Sequence, residues 1–142
     1  MKLKIKYLEG AIFPPRQATK GSAGWDLYCN DHIILRPNEV SFVRLGFCLQ
    51  IPEDYYVSIV SRSSMAKRGV IIPNSPGIID SDYTGEIMVM MINLNPDFSI
   101  QLSPGDRIAQ MLLHKCETID FEVTDSLKHT ERGSGGFGST GK

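Results

Sequence analysis

No apolar run in the 142-residue chain is long enough to cross a bilayer as a helix. Cysteine is scarce. Cys29, Cys48 and Cys116 are odd in number, widely spaced and never at C-x-x-C separation. That pattern lacks the signature of a disulfide framework, and it points to buried thiols in a reducing compartment, the cytoplasm or an equivalent. His32, His114 and His129 lack metal-ligand spacing and read as surface or packing residues. Neither sign of charge dominates: the net charge is −1, so no global positive field draws in nucleic acid. Internal repeats are absent, and helical periodicity is almost absent. The start, Met1-Lys2-Leu3-Lys4-Ile5-Lys6-Tyr7, alternates charged and apolar residues. That is the pattern of a strand rather than of a signal peptide, with Leu3, Ile5 and Tyr7 expected to face a core.

What is present is alternation. Val43, Leu45, Phe47, Leu49 and Ile51 mark one half-buried strand, Tyr55, Val57 and Ile59 a second, and Phe98, Ile100 and Leu102 a third. Trp25 to Cys29 and Arg107 to Lys115 read as two more. Many short strands between Gly and Pro turns predict an all-β, jelly-roll-like sandwich or barrel with one short helix, from about Ser63 to Lys67. Ile87 to Leu94 is apolar on both strand faces, which suggests a subunit interface, with burial beneath a loop as the alternative. Apolar content falls from Asp125 onward, dividing the chain into a β-domain over 1–124 and a flexible arm over 125–142.

The organising stretch is Asn74 to Glu86, N-S-P-G-I-I-D-S-D-Y-T-G-E. Apolar segments flank it, and Pro76-Gly77 and Thr84-Gly85 are turn signals. A hairpin with a pocket at its mouth is expected. Asp80 follows Ile78 and Ile79, an apolar setting expected to desolvate its carboxylate and raise its basicity; an ordinary solvated turn is the plainer alternative. Ser63 and Ser64 sit where a helix start offers free N–H groups to anions, and Arg62 adds a fork of donors. Ser63 also suits a simple N-cap. Arg107 suits a structural ion pair as well as a ligand contact, and Gln110 suits a cross-strand contact. The stretch Gly133-Ser134-Gly135-Gly136-Phe137-Gly138 fits G-x-G-x-x-G, but too few residues follow it to open the helix that a dinucleotide fingerprint needs. Backbone N–H groups there can approach phosphates, Arg132 adds charge, and Phe137 offers a stacking face.

Five segments in order carry a resemblance: Ala23-Gly24-Trp25-Asp26-Leu27, Ser61-Arg62-Ser63-Ser64-Met65-Ala66, Gly77 to Gly85, Gly105 to Met111, and Arg132 to Gly141. Together they resemble the trimeric dUTP pyrophosphatase (dUTPase) family across nearly the whole chain. Ser61 and Met65 replace a Pro and a Leu usual in that family. The resemblance implies hydrolysis of dUTP to dUMP and pyrophosphate by Mg2+-assisted water attack on the α-phosphorus, which keeps uracil out of DNA and supplies dUMP for thymidylate synthesis. It implies Asp80 as the water-activating carboxylate and Asp26 as a magnesium holder acting through water. Arg62, Ser63, Ser64 and Gln110 are implied at the phosphates, and Asn74, Gly77, Ile78 and Ile79 at the uracil. Tyr83 is implied beneath the deoxyribose, with Met88 also at this site. Arg132, Phe137, Gly138 and Ser139 are implied in an arm that closes over the nucleotide. It implies a homotrimer whose sites take pieces from all three chains.

Three other classes compete. dCTP deaminase shares the expected fold and the S-R-S-S pattern, and release of ammonia rather than pyrophosphate would mark it. A non-catalytic nucleotide sensor that docks a partner protein is the second; retained Asp80 and the intact arm argue against lost catalysis. A structural, capsid-type jelly roll leaves the arginines, paired serines and arm without a purpose.

Overall fold

Alternating apolar residues can bury one strand face only if a second sheet covers it, and the chain meets that need with short antiparallel strands. The computed structural model describes residues 1–136. In chain order the elements are β1 (Lys4–Tyr7), β2 (Trp25–Tyr28), β3 (Ile33–Leu35), β4 (Val40–Gln50), β5 (Tyr55–Ser61), α1 (Ser63–Lys67), β6 (Val70–Ile71), β7 (Gly77–Ile79), β8 (Glu86–Asn93), β9 (Ile100–Leu102) and β10 (Arg107–Lys115). The fold is all-β with one short helix, as expected. One sheet has the order β1-β4-β8-β6, a second β2-β10-β5-β7, and β3 pairs with β9. A single core joins the two larger sheets: Val43, Leu45, Phe47, Ile87, Val89 and Met91 from the first, and Leu27, Val57, Ile59, Ile108 and Met111 from the second. No helix among the described residues is long and apolar enough to cross a membrane.

The hairpin expectation needs correcting. The flanking segments do pair, Val70 with Asn93 and Ile71 with Ile92. The residues between them leave that sheet, and β7 joins the edge of the other one, Gly77 opposite Ile59 and Ile79 opposite Val57. The stretch is therefore a crossover between sheets. Its apolar residues fix which faces are buried, but not which strand lies alongside.

Several expected core residues lie outside the core. Tyr7 is 45% exposed and Phe98 56%, because β1 is an edge strand and β9 begins only at Ile100. The cysteines are all free, yet only Cys29 is buried; Cys48 is half-buried and Cys116 exposed. The last strand ends at Lys115, and the chain is exposed from there through Ser134, so the exposed segment begins ahead of residue 125. His114 packs as expected, with Nε2 2.7 Å from Ser58 Oγ and its ring stacked on Tyr56.

The outer face of β4 and β8 is apolar and uncovered within one chain. Phe42 stands opposite Met90, and Val40 opposite Ile92. Phe42 is 60% exposed, Val40 49% and Met88 41%. The inner face of β8 is buried at Ile87, Val89 and Met91, so the double-faced apolar pattern is met on one side only.

Candidate active site

Sheet register builds the first half of the site. β10 lies between β2 and β5, and Gln110 stands opposite both Asp26 and Val60. Asp26 is 3% exposed. Its Oδ1 accepts from Arg62 Nε at 3.0 Å and from Gln110 Nε2 at 3.1 Å, and its Oδ2 accepts from Arg107 Nη1 at 3.3 Å. A buried carboxylate persists only when paired and hydrogen-bonded, and here two guanidinium groups and an amide do that. The cluster keeps an excess of one positive charge. Arg62 also donates from Nη1 to Ser64 Oγ at 3.3 Å and to Arg107 O at 3.2 Å, which ties the helix start to β10.

Arg62, not Ser63, is the N-cap residue of α1, and it makes no side-chain capping bond. Met65 N and Ala66 N both donate to Arg62 O. The N–H groups of Ser63 and Ser64 precede those bonds and stay available at the helix start. Ser61 serves the fold instead. Its Oγ accepts from Ile72 N at 3.1 Å and so fastens the end of β5 to the segment after the helix. Arg107 makes the structural pair with Asp26 while its side chain stays 49% exposed.

The second half lies under β7. Ile78, Ile79, Asp80, Tyr83, Glu86 and Met88 line a cavity of about 160 Å³. Gly77 is buried beside Asn74, whose Nδ2 would lie 3.4 Å from a Cβ at position 77. Tyr83 lies over the turn, 41% exposed, and its Oη donates to Glu86 O at 2.9 Å. Asp80 is exposed. The expected desolvation is absent in the single chain, because Ile78 is itself 49% exposed and supplies no apolar cover. None of the four Asp26-cluster side chains lines this cavity. Three strand spacings, about 14 Å, separate β2 from β7 across the sheet. Arg132 is exposed, its Nε donating to Gly135 O at 2.9 Å. Phe137, Gly138 and Ser139 lie outside the described residues.

Sequence reasoning did not single out Glu86 or Arg44. Glu86 Oε2 accepts from Arg44 Nε at 2.8 Å and its Oε1 from Gly46 N at 3.1 Å. The pairing of β4 with β8 shifts between Arg44 and Cys48, and Gly46 there has φ +75, a conformation suited to glycine. The available signal was a carboxylate at the head of an otherwise apolar strand.

A β-sandwich that gathers two arginines, a glutamine and a helix start around one buried carboxylate, with a second carboxylate beside a small pocket, is built as a phosphate-handling enzyme fold. The dUTPase family model matches residues 11–141. The chain is 48% identical over 148 aligned positions to the deoxyuridine 5'-triphosphate nucleotidohydrolase of Orientia tsutsugamushi (strain Boryong), covering 99% of both chains. Its fold is similar to that of the Staphylococcus bacteriophage 80alpha dUTPase with dUPNHPP, at 25% identity and TM-score 0.90 over 99% of each chain. It is also similar to a mutant dUTPase from phage phi11 of S. aureus, which coordinates a structural Mg(II) ion. That likeness has 21% identity and TM-score 0.81, over 91% of this chain and 100% of that one. The chain belongs to the dUTPase family.

Proposed function

We propose that this protein hydrolyses dUTP to dUMP and pyrophosphate in sites shared between the subunits of a homotrimer. The observation that carries the reading is the Asp26 cluster, a preformed receptor with excess positive charge for the phosphates of a nucleotide. Arg62, the N–H and hydroxyl groups of Ser63 and Ser64, and Gln110 take phosphate oxygens, and Arg107 braces Asp26. Asn74 and the β7 backbone at Gly77, Ile78 and Ile79 meet the uracil edge. Base-specific hydrogen bonds of this kind reject a wrong base strongly, because mismatched donors are left buried. The Tyr83 ring sits under the deoxyribose, with Met88 beside it. Arg132, with Phe137, Gly138 and Ser139, closes over the nucleotide.

In the reaction, a water oxygen bonds to the α-phosphorus opposite the bridging oxygen. The bond to that oxygen breaks, and pyrophosphate departs with its electron pair. Asp80 accepts the proton released by the water. Asp80 is exposed in one chain, which leaves it free to reach a nucleotide bound by a neighbouring copy.

Magnesium fits this donor set in one way. No group of three His, Cys, Asp or Glu side chains that could hold a metal occurs among the described residues. A carboxylate offers about four lone-pair sites, and the three donors on Asp26 leave one on Oδ2 for a water. Asp26 would hold the ion through that water, and the triphosphate would carry the rest of its shell. When bound, the ion neutralises charge on the phosphates.

Two uncovered surfaces support the trimer. One is the apolar face of Val40, Phe42, Met88, Met90 and Ile92. The other is the segment after β10, where Ile119, Phe121 and Val123 alternate as in a strand yet are 67%, 89% and 97% exposed. The separation of the two half-sites within one chain supports sharing. The product dUMP would feed thymidylate synthesis, and removal of dUTP would keep uracil out of DNA. The test follows pyrophosphate release from dUTP, dCTP, dTTP and UTP. Release from dUTP alone is expected; ammonia from dCTP, or no turnover of dUTP, overturns the reading.

A further inference from the structure

The turn between β7 and β8 holds Tyr83 by contacts that base recognition does not use. A Cβ added at Gly85 would lie 2.6 Å from Tyr83 Oη and 2.7 Å from Cζ. Carbon cannot approach that closely, so the phenol occupies the space only because residue 85 has no side chain. The atoms it would strike are the far end of a half-exposed side chain. An alanine there displaces the ring and leaves the turn backbone in place.

The ring is also pinned. Tyr83 N donates to Asp80 O at 3.2 Å, and Tyr83 Oη donates to Glu86 O at 2.9 Å. Glu86 is itself fastened to the β4 bulge through Arg44 Nε and Gly46 N. The phenol is thus held at its root and at its tip, and the anchor at the tip is tied to the neighbouring strand β4 of its own sheet. Its hydroxyl is spent on this internal bond, which leaves the ring, not the hydroxyl, to meet a ligand.

We propose that Gly85, with the Glu86–Arg44–Gly46 clamp, sets the position of the Tyr83 ring and thereby the rejection of a ribose 2′-hydroxyl, separately from recognition of the base. The inference rests on the proposed function, which places the sugar on Tyr83. A ring excludes one extra oxygen only while it cannot move aside; a shift of about 1 Å is enough to matter at a reacting site. The β7 backbone, paired with β5, does not depend on where that ring lies. Gly85 and Glu86 are positioning residues in this scheme.

The test compares kcat/KM for dUTP, UTP and dCTP in the full-length protein and in Gly85→Ala. The expected result is a fall of about tenfold in the dUTP-to-UTP ratio, with the dUTP-to-dCTP ratio held within about twofold. An unchanged dUTP-to-UTP ratio overturns the proposal, and so does an equal fall in both ratios, which marks general loosening. Should Gly85→Ala fail to fold, Tyr83→Phe removes only the pin on Glu86 O from an exposed ring, and the same two outcomes decide. Failure of the unaltered protein to hydrolyse dUTP is a different result: it removes the function, and this inference with it.

Discussion

Arg62 Nε donates to Asp26 Oδ1 at 3.0 Å, and only 17% of the Arg62 side chain and 3% of the Asp26 side chain reach solvent. The pair aims the guanidinium rather than merely neutralising it, because the Nη1 atom then reaches Ser64 Oγ and Arg107 O. Asp26→Asn keeps the shape and removes the charge. Loss of a buried hydrogen-bonded charge leaves donors unsatisfied and is expected to lower stability by about 1–3 kcal/mol. Nucleotide affinity should fall as well, since Arg62, Arg107 and Gln110 lose their shared anchor. Urea midpoints and calorimetric titration with a non-hydrolysable dUTP analogue check both effects. An unchanged midpoint and affinity would show that the arginines orient themselves.

Asp80 makes no side-chain contact that the fold needs, so Asp80→Asn should leave stability unchanged. Loss of a general base is expected to lower turnover by about 10²–10⁴-fold, with analogue binding retained. Pyrophosphate release alongside titration checks this, and full turnover in the variant would remove Asp80 from the chemistry.

Phe42 stands opposite Met90 on the uncovered face of β4 and β8. A carboxylate placed in an apolar interface is costly to desolvate. Phe42→Glu should therefore dissociate the assembly and abolish activity while each chain keeps its fold. Analytical ultracentrifugation with circular dichroism reads the two effects apart; an intact, active trimer would place the interface elsewhere.

Truncation after Glu131 removes Arg132, Phe137, Gly138 and Ser139. The described strands all end at Lys115 or earlier, so the fold should survive. Activity should fall steeply with the oligomer intact, as measured by light scattering and pyrophosphate release. Normal hydrolysis by the shortened chain would dismiss the closing arm.

Burial raises the Cys29 thiol above its ordinary value of 9.0, an effect larger than the opposing backbone hydrogen bond to Asp31. The buried neutral thiol therefore favours the folded state fully below pH 9.0, and that contribution is lost as pH rises through the higher folded value. Unfolding midpoints should decline on the alkaline side. Iodoacetamide near neutral pH should modify exposed Cys116 promptly and Cys29 only after unfolding. Equal labelling of the two would show that the site of Cys29 opens readily.

Much of the local structure was legible from the residues. β10 begins and ends where alternation and turn residues place it, β5 begins at Tyr55 as expected and runs on past Ile59 to Ser61, and α1 spans Ser63 to Lys67 as expected. The errors share a cause. Tyr7, Phe98 and Cys116 belong to apolar or thiol types that usually sit inside, yet edge position or chain direction leaves them outside. Asp80 follows two isoleucines, but cover depends on what packs over them. Glu86 and Arg44 carry no strong local signal and Gly85 reads only as a turn residue, since their roles consist of contacts with each other and with Tyr83 and Gly46.

Which residues alternate, where turns fall and which side chains can bind phosphate were determined by the sequence itself, because strand period and turn chemistry act over a few neighbouring positions. That Gln110 meets Asp26 across 84 residues, and that β7 leaves its flanking strands to join β5, was decided only by tertiary structure. Strand period assigns a face to each side chain but not a partner to each strand; partners follow from how both sheets together cover one core.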